Sequence, residues 1–262
     1  MNVISRLLLF QARDLLRGRW VIAYALFFLL AGLGLMRLGG GDARAVLSLS
    51  NLVLFVVPLV SLVFGTTSIF DAREFNELLL SQPVNRRELF AGLYGGLALG
   101  LSLAFVVGAG APFVLNLSGG VPAPTLIALL GTGVLLTLVF VGVAFLIALA
   151  SREKARALAA AVGVWLFATV IYDGIVLIVA NAFAAFPLER PMIALMLLNP
   201  IDLARVLLLM HLDVAALMGY TGAVFQRFFG SAAGVTVLVG ALALWIAAPV
   251  LLGARAFRRR DF

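Results

Sequence analysis

The chain has 262 residues, 64% of them hydrophobic and 12% charged, with nineteen Lys and Arg against twelve Asp and Glu. Its mean hydropathy of +1.16 excludes a soluble protein, because soluble domains carry roughly 25% charged residues. Lipid must solvate most of the surface. There are no cysteines, which excludes disulfides, thiolate metal sites and cysteine nucleophiles.

Residues 1–19 read as an amphipathic lead-in helix. At about 100° per residue, Arg6, Arg13 and Arg17 fall on one arc and Ile4, Leu8 and Leu15 on the opposite side. Such a helix lies in the membrane interface with its arginines toward lipid headgroups or a cytoplasmic partner. Six apolar windows follow, at about 20–38, 47–69, 91–114, 126–149, 157–180 and 233–253. Each approaches or exceeds the ~20 residues that carry a helix across a bilayer. The expected fold is an all-α polytopic membrane protein, one transmembrane domain over 1–262 with six spans.

The most polar window lies between the second and third spans, from Phe70 to Leu89. Read as a helix from Asp71 to Gln82, it places Phe75, Leu78 and Leu79 on one face and Arg73, Glu74 and Glu77 on the other. Pro83 ends that helix. Asn85 is placed to cap a second helix, with Glu88 three positions on completing an Asn form of the capping box. Arg86 and Arg87 open that second helix. The result is an elbow at 70–90: an amphipathic helix, a sharp break, and a helix rising into the third span. A solvated loop would account for the charges but not for the apolar stripe beside them, so the elbow reads as a docking element.

Within the third span, Gly92, Gly96 and Gly100 recur at four-residue spacing and permit close helix approach. Pro58, Pro112 and Pro249 lie inside spans, where neighbouring groups can satisfy freed carbonyls. Asp173, after Tyr172, is the one carboxylate inside a predicted span. A charge in hydrocarbon must pair, protonate or reach water, so it is either a packing residue or an ion site.

The outer segment 181–232 has its own apolar periodicity, interrupted by Pro187, Pro191 and Pro200. It is expected to form two or three short helices on, or dipping into, the outer face. Asn199 before Pro200 favours a turn. Asp202 then sits near a helix N-terminus, where its charge is favourable. Arg205 lies three positions on, within pairing distance. A helix start accounts for these residues, and a surface for an outer partner is compatible with it. Met192, Met196, Met210 and His211 hold soft donors suited to Cu(I), although methionine is equally a packing residue.

Charge distribution sets the expected topology. With the N-terminus cytoplasmic, fourteen basic residues fall inside and five outside. This asymmetry satisfies the positive-inside rule and needs no nucleic acid. Both termini are then cytoplasmic. Absences narrow the function further. The only lysine, Lys154, lies in Ser151-Arg152-Glu153-Lys154, so no P-loop exists. No His-Glu-x-x-His or Gly-x-Ser-x-Gly is present. The chain is expected to be non-catalytic, with no cofactor of its own.

Six spans, an N-terminal amphipathic helix, a charged elbow and helical outer segments together resemble the membrane permease of type-2 ABC exporters. More narrowly, the run Phe70 to Arg86, Asn199-Pro200-Ile201-Asp202 and Tyr172-Asp173 are similar to the NosY subfamily, the permeases encoded with nitrous oxide reductase. The resemblance covers nearly the whole chain. It implies a homodimer in the bacterial inner membrane seated on two copies of a separate, NosF-like ATPase that binds ATP and Mg. The elbow would be the coupling helix, using Asp71, Arg73, Glu74, Phe75, Glu77, Leu78, Pro83, Arg86, Arg87 and Glu88. On the outer side, Asn199, Pro200, Asp202 and Arg205 would face a periplasmic β-helical partner, NosD-like, alongside a copper-chaperone lipoprotein. The cargo stays open among a sulfur species, copper, a lipid and purely mechanical work. The alternatives are a generic small-molecule or lipid exporter, a scaffold without cargo, and a secondary carrier built on Asp173.

Overall fold

In the computed structural model, the described residues are 18–38, 42–71, 86–115, 121–183, 189–211 and 232–259. All elements among them are helical: α1 (Arg19–Leu38), α2 (Asp42–Asp71), α3 (Arg86–Leu115), α4 (Ala123–Ala150), α5 (Lys154–Leu166), a π-helical turn (Phe167–Ile171), α6 (Tyr172–Ala182), α7 (Glu189–Leu197), α8 (Pro200–His211) and α9 (Ala232–Arg259). Among the described residues, six helical stretches are long and apolar enough to cross a membrane, α5 to α6 counting as one, or seven if the bent pair α7 and α8 is taken as one span. The six coincide with the expected windows to within a few residues. The amphipathic segment 1–17 and the elbow core 72–85 lie outside the described residues, as does 212–231.

The central helix is α4, which packs on α2, α3, α8 and α9. It is apolar on every side, as befits a helix enclosed by others, and Leu129, Leu136, Val139, Val141 and Phe145 are fully buried. Spans two to four form the packed interior. In the fifth span only 6% of the most apolar window is buried, against 61% in the third and fourth. The fifth span therefore leans on the bundle by one face, chiefly against α2. Trp165 makes that contact: its ring meets Phe55 at 4.6 Å and its indole N–H donates to the Phe55 carbonyl at 3.0 Å.

Helices α2, α3 and α9 run unbroken through Pro58, Pro112 and Pro249. Gly92, Gly96 and Gly100 are buried, so their face serves packing inside the protomer and is not offered as a seam between protomers. A close helix approach lies elsewhere, where Gly108 of α3 abuts the backbone of Ala25 in α1 and leaves no room for a Cβ.

At the end where α3 begins, Phe90, Tyr94, Phe145 and Phe257 interlock α3, α4 and α9, with ring centroids 5.7 to 6.4 Å apart. Such aromatic pairs add about 0.5–1.5 kcal/mol each beyond area burial. Helices of 30 residues such as α2 and α3 extend about 45 Å at 1.5 Å per residue. That exceeds the ~30 Å hydrocarbon core, so both helices project past the membrane boundary.

Candidate functional site

Span five is not a plain α-helix. Over Phe167–Ile171 it widens into a π-turn, and the local chemistry explains why. Thr169, Val170 and Ile171 form a β-branched run, and the Thr169 hydroxyl donates to the Trp165 carbonyl at 2.7 Å. That bond competes with the backbone ladder. A π-turn also leaves carbonyl groups available, and such turns concentrate at functional positions. Here the Ala168 carbonyl accepts from the Asn199 side-chain amide at 2.9 Å.

Asn199 belongs to the break between α7 and α8, which bend by 109° at Leu198-Asn199. It works as the N-cap of α8. Its side-chain oxygen accepts from the Ile201 N–H at 3.1 Å, and its carbonyl accepts from Leu203 N–H at 3.2 Å. Pro200 follows at the first helical position, where a missing N–H costs nothing. The Asn199 amide also donates to Asp202 at 3.1 Å. One buried side chain thus caps α8, holds a carboxylate and occupies the π-turn.

Arg205 completes the cluster. Its guanidinium spans both acids, meeting Asp173 at 2.9 and 3.3 Å and Asp202 at 3.0 Å. Asp202 is 5% exposed, whereas Arg205 and Asp173 are each about 40% exposed at the side chain. The fork-shaped guanidinium suits this geometry because it donates to two carboxylates at once. The carboxylate expected inside span five is therefore paired, with a cation from α8.

Two further carbonyls at the break also accept side-chain donors. Tyr172 donates its hydroxyl to the Leu195 carbonyl, and Trp245 of α9 donates its indole N–H to the Leu197 carbonyl at 3.0 Å. A non-helical break at membrane depth is tolerated only when protein groups satisfy it in this way. The hairpin α7–α8 is thus held by span five on one side and by α9 on the other, while Leu203 and Val206 pack with Leu238 and Leu242.

The expected site residues fall into three groups. Tyr172, Asp173, Asn199, Pro200, Asp202 and Arg205, read as two separate features, converge in one latch. Asn199, Pro200 and Asp202 are buried, so within the latch only Arg205 and Asp173 stay substantially exposed. At the elbow, Asp71, Arg86, Arg87 and Glu88 are described, and Arg73, Glu74, Phe75, Glu77, Leu78 and Pro83 lie outside the described residues. Met196 and Met210 pack on the apolar cluster around Leu203. Among the described residues no three of His, Asp and Glu come together as metal ligands.

Both flanks of the elbow are tied to other helices. Asp71, the last residue of α2, pairs with Lys154 at 2.6 Å, and Lys154 is the first residue of α5. Arg86, the first residue of α3, donates to the Arg258 carbonyl near the end of α9 at 3.1 Å. Glu88 occupies the first turn of α3, where its charge complements the helix dipole. Lys154 and Trp245 are the residues that sequence reasoning passed over. Each carried a signal: a sole lysine among arginines, and an indole N–H that needs an acceptor inside an apolar helix.

A model of the ABC-2 family transporter protein matches residues 9–262. The chain belongs to this permease family. It is 31% identical to a probable ABC transporter permease protein NosY of Pseudomonas aeruginosa, over 95% of this chain and 96% of that one. It is 29% identical to the NosY of Stutzerimonas stutzeri over 53% of this chain and 51% of that one. The permease is thus the membrane-embedded part of an ABC transporter, with NosY-like relatives.

Proposed function

We propose that this permease receives work from a separate cytoplasmic ATPase at the elbow and delivers it to the outer hairpin through span five. One observation carries the reading: span five is fastened at its first residue and again around and beyond its midpoint, and is loosely packed between. Its first residue, Lys154, holds Asp71 at the elbow flank, and Ala168 at its midpoint and Asp173 beyond it hold Asn199 and Arg205. From Lys154 to Asp173 the helix covers about 28 Å at 1.5 Å per residue, the depth of the hydrocarbon core. With so little of its apolar surface buried within its own chain, span five is held to its own bundle by few contacts besides these attachments.

In this reading the chain forms a homodimer in the inner membrane, both termini cytoplasmic as the basic-residue asymmetry favours. A NosF-like ATPase dimer binds ATP and Mg and grips the elbow through Arg73, Glu74, Phe75, Glu77 and Leu78. The names of the relatives favour service to nitrous oxide reductase, with the hairpin engaging a NosD-like protein during copper-site maturation.

Reconstitution with the ATPase tests this. Charge reversal at Glu74 or Arg86 is expected to abolish stimulation of ATP hydrolysis while membrane insertion stays intact. Undiminished stimulation in both variants would remove the docking role. Full maturation activity with a hydrolysis-dead ATPase would favour a scaffold instead.

A further inference from the structure

We infer that the latch between α6 and α8 is a proton-binding catch: Asp202 takes up a proton in mildly acidic medium, and that proton tightens the hold of α8 on span five. The charges around Arg205 do not balance. One guanidinium serves two acids, Asp173 at 2.9 and 3.3 Å and Asp202 at 3.0 Å. Among the described residues no second cation faces them. The fully ionised latch therefore carries one surplus negative charge. In an apolar bundle such a charge must pair, protonate or reach water.

Burial and geometry assign the proton to Asp202. Its side chain is 6% exposed, whereas that of Asp173 is 39% exposed and meets water. Burial disfavours a charged carboxylate, and a like charge beside it disfavours it further. One oxygen of each acid lies against the same nitrogen of Arg205, and the two carboxyl groups stand within hydrogen-bonding reach of each other. A solvent proton on Asp202 Oδ1 displaces the hydrogen bond from Arg205, and the new O–H donates to Asp173. Arg205 keeps both contacts with Asp173, and the Asn199 amide still donates to Asp202 Oδ2. The protonated latch is thus neutral, with one more direct link between α8 and α6 than the ionised one. Tyr172 is the other titratable group beside Asp202, and its hydroxyl is already given to the Leu195 carbonyl.

In the unfolded chain these acids are apart and in water, where they protonate only near pH ~4. Between that pH and neutrality the folded chain binds a proton that the unfolded chain does not, so stability rises as pH falls. A simple ion pair predicts the opposite, because acid removes its carboxylate. The assignment concerns the latch alone and does not depend on coupling to an ATPase.

Melting temperature and infrared spectra of the purified full-length chain, taken from about pH 8 to about pH 5, test it. His211→Gln is carried throughout, because histidine titrates near pH ~6.5. The expected result is a melting temperature that rises by a few degrees toward the acidic end, with growth of the C=O stretch of a protonated carboxyl. Asp202→Asn should remove both. Asp173→Asn removes the surplus charge and should weaken both. Arg205→Gln leaves two acids without a cation and should move both to higher pH. Absence of the carboxyl band, or a melting temperature that is flat or falls toward the acidic end, would overturn the proposal. A band that survives in Asp202→Asn, or that does not shift in Arg205→Gln, would place the proton elsewhere and overturn it as well.

Discussion

Asp173 and Arg205, thirty-two positions apart in sequence, meet at 2.9 Å through a bidentate contact. The pair joins the second half of span five to the first turns of α8, and Asp202 reinforces it from within α8. Its two charges are partly open, so its value lies more in fixing geometry than in raw stability.

Breaking this pair is expected to separate folding from coupling. Arg205→Gln and Asp173→Asn should insert and assemble, with melting temperature in detergent lowered by a few degrees. ATP-driven output of the assembled complex should fall sharply in both. The exchange Asp173→Arg with Arg205→Asp should recover part of the output, because the attraction is restored with its direction reversed. No recovery in the exchange would show that Asp202 dictates the sign of each position.

Asn199 carries more structural weight, since one side chain makes three hydrogen bonds. Asn199→Ala removes the cap of α8, a loss of about 1 kcal/mol, and orphans the Ala168 carbonyl, a further ~1–3 kcal/mol. Asn199→Asp keeps the capping oxygen but loses the amide donor and faces Asp202. Thermal unfolding should rank it no better than Asn199→Ala, although aspartate is as good a cap as asparagine in isolation.

The tie between Asp71 and Lys154 is exposed, at 65% and 45% of the side chains. Lys154→Ala should therefore change stability by less than about 1 kcal/mol. Its effect is expected in function, as weaker stimulation of the partner ATPase or weaker output per ATP hydrolysed. Lys154→Arg should retain most of both. Loss of stability without loss of coupling would count against span five as the transmitting element.

Gly108 tests the bundle itself. Any side chain there meets the Ala25 backbone, which is not the flexible end of a side chain, so Gly108→Val should cost the ~1–3 kcal/mol of overpacking or more. Gly240→Ala, with open space around its Cβ position, should be neutral within about 0.5 kcal/mol. Expression and melting temperature of the two variants make the comparison.

The spans were legible because lipid imposes one rule, about 20 apolar residues per crossing, and α1 to α6 and α9 obey it. The break at Asn199-Pro200 was also legible: proline at a helix start and asparagine before it have local chemistry. What stayed hidden was the meeting of Asp173 with Arg205. Periodicity reports which face a residue occupies on its own helix, but a contact across 32 positions depends on how two helices cross. The π-turn was hidden for the same reason, since Phe167 to Ile171 reads as ordinary apolar helix until Asn199 supplies the donor. The elbow's tie to Lys154 escaped because an exposed lysine reads as a solvated flank.

The central claim, that motion at the elbow reaches the hairpin through span five, is tested by a distance. The chain has no cysteine, so Leu198→Cys on the hairpin and Leu115→Cys at the end of α3 give two spin-label sites per chain, both exposed, and dilution with unlabelled chains isolates the distance within one protomer. Electron–electron double resonance on the assembled complex should show this distance shifting between nucleotide-free and ATP-bound states. The shift should vanish in Arg205→Gln. A distance unchanged by ATP, or a shift that persists in Arg205→Gln, would contradict the account.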